Sequence, residues 1–144
     1  MKTVDILKQA LADTYALYLK TQNYHWNITG PNFKPLHLML EEHYIELADA
    51  VDTIAERIRA LGEKAPASFS KYAALTKIKE GNEDASAEIM LADLLEGHGQ
   101  VVKALKQVDV AADKHTDAGT MNMVDARIEA HQKTMWMLRA TLSQ

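Results

Sequence analysis

A chain of 144 residues, 47% hydrophobic and 25% charged, can bury one substantial core and is short for two domains. Its net charge of −4 works against the sequence-independent phosphate binding that basic domains achieve by displacing counterions from nucleic acid. Cysteine is absent, which excludes disulfides and thiolate sites, so any metal must be held by His and carboxylates, a donor set suited to harder ions such as iron.

The opening MKTVDILKQALADTY mixes Lys2, Asp5, Lys8 and Asp13 with spaced apolar residues and is followed by no uninterrupted apolar run, so no membrane segment and a cytoplasmic location are expected. Ile6, Leu7, Ala10, Leu11, Tyr15, Leu17 and Tyr18 recur at three- and four-residue steps, predicting an amphipathic helix capped by Thr3 and reaching about Ile28. Gly30 and Pro31 end it. Pro35 suits the first turn of a second helix, from about Pro35 to Leu61, with Gly62 and Pro66 behind it. Residues 67–81 are too irregular for a long helix, but Tyr72, Ala73, Ala74 and Leu75 suit a short one inside a long crossover. A third helix fits from about Ala85 to Ala112. Beyond a polar join from Asp113 to Gly119, the series Met121, Val124, Ile128, Met135, Leu138 and Leu142 predicts a fourth. Four long helices with one long connection between the second and third predict an all-α, ferritin-like four-helix bundle forming a single domain over 1–144, rather than an up-down bundle with short loops.

The second helix carries the sharper signal. With His37 at zero and 100° per residue, Leu36, Leu40, Tyr44, Leu47, Val51, Ile54, Ile58 and Leu61 fall between roughly 240° and 340°, a core stripe. His37, Glu41, Asp52 and Glu56 fall between 0° and roughly 100°, beside Ala48 and Ala55, whose small side chains admit another backbone. His37 and Asp52 lie roughly 22 Å apart along one helix, so they cannot ligate the same ion without a partner. His37 and Glu56, like Glu41 and Asp52, are equidistant from a point between Glu46 and Leu47. A two-fold axis there would set each opposite its mate, as a homodimer does, and create two identical sites. The mixed nitrogen and oxygen donors suit ferrous iron, with zinc and manganese as competitors.

The stretch NYHWNITGPNFKPLHLMLEEHYIELADAVDTIAERI, from Asn23 to Ile58, resembles the Dps family of mini-ferritins in its His-Trp pair, GPNF turn, LHxMLEE run and DTIAER segment. The likeness continues more loosely through HQKTMWMLR, from His131 to Arg139. It implies that His25 and His37 of one subunit, with Asp52 and Glu56 of its two-fold partner, ligate iron in a mono- or di-iron site. It further implies a bacterial-type hollow dodecamer that oxidises ferrous iron, preferably with hydrogen peroxide over oxygen, and stores the ferric mineral, protecting against oxidative damage. Glu41 is expected beside the ligands, supporting them or weakly holding a second iron. Trp26 is a candidate electron donor or, equally, a packing aromatic.

Lone histidines such as His43, His98 and His115 are ordinarily solvated or satisfied locally and receive no site role, while His131 is read as packing or a subunit contact. No Glu-x-x-His pair occurs, which disfavours an iron centre within one bundle, and neither HExxH nor a Gly-rich phosphate loop is present. The resemblance has two departures. DNA-condensing members carry a Lys-rich extension, and here only Lys2 precedes the first helix, which disfavours the alternative of a nucleoid-binding protein with secondary ferroxidase activity. Where many relatives line an iron pore with aspartate at the start of the fourth helix, counting back from Trp136 places Asn122, leaving Asp113 and Asp117 to keep the pore acidic.

Overall fold

The computed structural model describes residues 1–143, which form five helices: α1 Thr3–Asn27, α2 Phe33–Ala60, α3 Phe69–Leu75, α4 Ala87–Lys114 and α5 Ala118–Leu142. The four long ones make a bundle, and α3 sits in the crossover between α2 and α4, packed on α1. No helix among the described residues is long and apolar enough to cross a membrane.

The core stripe lies where periodicity puts it: Leu36, Leu40, Leu47, Ile54 and Ile58 are buried, and Tyr44, Val51 and Leu61 half-buried. The ends differ from expectation, and at the starts of α4 and α5 side-chain caps, rather than apolar spacing, set them. Thr3 is the first helical residue, and the cap position belongs to Lys2 without a side-chain bond. The second helix starts at Phe33, placing Pro35 still within the first turn, where its missing N–H costs no helical bond. Ser86 accepts from the Ile89 amide and starts α4 two residues later than expected, while Asp117 caps α5 and draws Ala118 and Gly119 out of the polar join into helix. Gly62, at φ +97, ends α2 in the left-handed region.

Buried polar groups on α1 hold the crossover. Asp13, 1% exposed, accepts from the Thr76 hydroxyl at 2.8 Å and the Lys77 amide at 2.7 Å. The Tyr24 hydroxyl donates to Asp93, which also pairs with buried Lys20 at 2.8 Å, and it accepts from the Asn82 amide. Opposite, α1 and α4 approach closely at Gly97, where an added Cβ would stand 2.9 Å from Leu17 Cδ1.

Inside the bundle α2, α4 and α5 bring together His43, His98 and His131, all buried, beside Arg127, which pairs with both oxygens of Glu46. Arg127 Nη2 donates to His131 Nε2 at 3.2 Å, so the neutral ring carries its proton on Nδ1 and donates to His98 Nδ1 at 2.8 Å. His131 is thus a packing residue and His98 is satisfied locally, as expected. His43 departs from expectation: it is buried, yet neither ring nitrogen has a partner, because it lies on the core side of α2.

Burial pushes His98 down to about 3 and His131 well below the ordinary imidazole range, and Arg127 acts in the same direction on both. The fold therefore holds both rings neutral, whereas the unfolded chain protonates them below about pH 6.5. Their stabilising contribution is complete above that pH and falls away as pH drops towards the folded values, by about 1.4 kcal/mol per pH unit for each ring at most. Denaturant midpoints at pH 7 and pH 5 should fall more steeply for the wild type than for His98→Asn, and parallel declines would remove the cluster as the cause.

Candidate metal centre

Tyr24, His25 and Trp26 follow one another in the last turns of α1, so successive side chains leave in different directions: Tyr24 and His25 are buried and Trp26 is 62% exposed. The turn Ile28–Asn32 then brings the start of α2 back alongside. His25 Nδ1 lies 2.7 Å from the carbonyl of His37, and His37 Nδ1 lies 2.7 Å from the carbonyl of His25. A carbonyl only accepts, so each ring carries its proton on Nδ1, and each neutral imidazole keeps its Nε2 lone pair for another ligand. The His25 carbonyl is one of those a helix C-terminus leaves without a partner, and His37 supplies it.

The rings stack with centroids 3.9 Å apart and planes 11° from parallel. Phe33 covers the second face of His37 at 5.0 Å, and Tyr44 meets His25 edge-on at 5.2 Å. The physical role of Phe33 in the GPNF turn follows, since together with His25 it sandwiches the His37 ring and fixes its rotation. Glu41, one turn beyond His37, places Oε1 3.9 Å from His25 Nε2, beyond a direct hydrogen bond and near enough to face a cation held there.

Of the residues singled out in the sequence, the structure brings together His25, His37 and Glu41. Asp52 and Glu56 lie exposed on the later turns of α2. Among the described residues, no group of three or more His, Asp or Glu side chains within one chain could hold a metal ion. Trp26 makes no ring contact with either imidazole; it lines a groove between α1 and the crossover with Leu19, Phe69 and Tyr72.

At the far end, Asn122 and Asp113 are exposed, and Asn122 shares a shallow depression with Met121 and Asp125. Asp117 is engaged: it accepts from the amide and hydroxyl of Thr120 and pairs with Arg57 at 2.8 Å, and the Thr120 hydroxyl bond first of all holds its carboxyl below the usual range. Sequence reasoning missed Asp109 and Asp125 there. Burial, then the neighbouring Asp125 carboxyl, push the Asp109 carboxyl up to about 6. The signal was available in part, since Asp109 and Asp113 share a face of the third long helix four residues apart.

The family model for the ferritin-like domain matches residues 4–144. A low temperature-induced protein of Nostoc is 40% identical over 95% of this chain and 78% of its own length. The DNA protection during starvation protein of Helicobacter pylori is 35% identical, over 99% of this chain and 100% of its own. Among solved structures, the DPS protein of Vibrio cholerae O1, described as a member of a broad superfamily of ferritin-like diiron-carboxylate proteins, superimposes with a TM-score of 0.95 at 31% identity, covering 98% of this chain and 89% of that one.

Because Asp117 caps α5 and ties it to α2, Asp117→Ala should lower stability by about 1–2 kcal/mol in denaturant unfolding. Asn122→Asp, at an exposed position, should leave it unchanged; equal losses in the two would contradict this division of roles.

Proposed function

The chain belongs to the Dps family of ferritin-like proteins, and we propose that it oxidises ferrous iron at sites shared by two copies of itself and stores the ferric product in the cage they build. The observation that carries this reading is the reciprocal pairing of His25 and His37, which fixes both imidazoles with Nε2 lone pairs free and leaves their carboxylate complement on a distant part of α2. In the proposed assembly, a dodecamer with sites at its two-folds, Asp52 and Glu56 of the partner subunit face His25 and His37. Glu41 then supports the site from beside His25.

Iron is the substrate. Neutral imidazole nitrogens accept ferrous iron without the electrostatic cost of a second cation, and carboxylates favour the ferric over the ferrous ion, which makes oxidation easier on the protein than in water. Hydrogen peroxide takes two electrons and two protons to become two waters. Two ferrous ions supply both electrons, so no hydroxyl radical is released, and this pairing is the protective function. Oxygen is the alternative oxidant. Iron is proposed to enter through the acidic end near Asn122, Asp113 and Asp125, where carboxylates concentrate cations. The reading places the protein in a bacterial-type cytoplasm.

His25→Ala and Asp52→Ala should each reduce rapid ferrous oxidation to near the uncatalysed rate while retaining helical content and assembly. Reshuffling subunits between the two inactive variants should restore part of the activity, since a hybrid pair keeps one intact site and concentrates both defects in the other. Verified hybrids without recovery would argue for a site within one chain.

The names of several relatives invoke DNA. Here twelve chains at −4 would carry about −48, and a repulsion of that size opposes contact with phosphate. In moderate salt without divalent cations the assembly should leave the mobility of duplex DNA unchanged, and a salt-sensitive shift would instead favour the nucleoid-binding alternative.

A further inference from the structure

Four of the five tyrosines, drawn from α1, α2 and α3, form one series of ring contacts that begins at the candidate metal centre. Tyr44 meets His25 with centroids 5.2 Å apart; Tyr18 follows at 6.0 Å, Tyr15 at 5.6 Å, and Tyr72 stacks on Tyr15 at 4.9 Å. Tyr15 and Tyr72 line the same groove as exposed Trp26. Packing would be served as well by phenylalanine, whereas a phenol is also an oxidisable group. Rings in contact exchange electrons readily, because tunnelling falls off exponentially with separation.

We propose that Tyr44, Tyr18, Tyr15 and Tyr72 form an electron-donating ladder that supplies the second electron to peroxide when a site holds a single ferrous ion. The inference rests on the ferroxidase reading above and addresses the case that two irons do not cover. One ferrous ion gives one electron and becomes ferric. The Tyr44 phenol gives the other together with its proton and becomes a neutral phenoxyl radical. The peroxide O–O bond breaks, and with that proton and one more from water both oxygens leave as water. Tyr18 then gives an electron to Tyr44 and its own phenol proton to water, while water returns a proton to Tyr44, and the same exchange carries the deficit through Tyr15 to Tyr72, away from the ligands. Trp26, without a ring contact to the imidazoles, stands at the outlet of this route rather than at its start.

The test loads the assembled protein anaerobically with one ferrous ion per site, adds stoichiometric peroxide, and follows ferric absorbance, the tyrosyl electron paramagnetic resonance signal and, after digestion, which tyrosines are oxidised. The wild type should show a tyrosyl signal with oxidation accumulating at Tyr72. Tyr18→Phe keeps the ring but interrupts the relay, so oxidation should shift to Tyr44 and fall to background at Tyr72. Tyr44→Phe should abolish the tyrosyl signal and raise spin-trapped hydroxyl radical. With two ferrous ions per site, the oxidation rates of the wild type and Tyr18→Phe should coincide. Iron oxidation without any tyrosyl signal, or an unchanged distribution in Tyr18→Phe, would overturn the ladder while leaving the ferroxidase reading intact. Absence of iron oxidation in the wild type would overturn both.

Discussion

The pair of bonds between His25 and His37 is the constraint on which the candidate site depends. Each imidazole binds the backbone carbonyl of the other residue, so the contact simultaneously fixes the crossing of α1 and α2, the tautomer of both rings and the plane in which they stack. A ligand whose rotation is fixed before the ion arrives loses little entropy when it binds, which is how a rigid scaffold makes a weak donor set effective. The same contact holds His25 against the edge of Tyr44, so the site and the aromatic series leading away from it share one anchor.

Around this anchor, the long connection is fastened by buried charges rather than by an apolar patch of its own; α3 has no buried residue. Asp13 on α1 receives the chain after α3, and Lys20 with Tyr24 receives Asp93 and the loop before α4. These groups would be costly to bury alone and are stabilising only as a set, so they specify one path for the crossover. On the opposite side α2 and α5 are joined by long arginines, Arg57 to Asp117 and Arg127 to Glu46, which span a gap that short side chains would leave open.

Periodicity made the fold legible because the buried face of α2 is continuous: Leu36 through Ile58 can be read as a stripe without knowing what covers it. The second face of that helix was legible for the same reason, with His37, Glu41, Asp52 and Glu56 in phase. His25 was different, since it lies on another helix and only the family resemblance joined it to His37. Contacts set by tertiary geometry escaped altogether. Nothing in the spacing of Tyr15, Tyr18, Tyr44 and Tyr72 announces that three helices place them ring to ring. Taken alone, His43 reads as a histidine that is solvated or satisfied locally, whereas its helical phase sets it at the edge of the core stripe, near the buried Leu47 and Ala50. Asp117 was read for its charge, whereas its position before Thr120 made it a cap.

The division of the donors between the two ends of α2 carries a consequence for the kinetics of the protein's own appearance. Under the proposed function, a newly made chain carries half of two sites and the whole of none. Activity would therefore begin not in proportion to the number of chains but to the number of encounters between them, so its onset during synthesis is second order in subunit. A cell that makes a few copies would gain nearly nothing; beyond the concentration at which pairs form, each additional chain would complete two half-sites at once. The protein's abundance becomes its own threshold, with no separate activator needed.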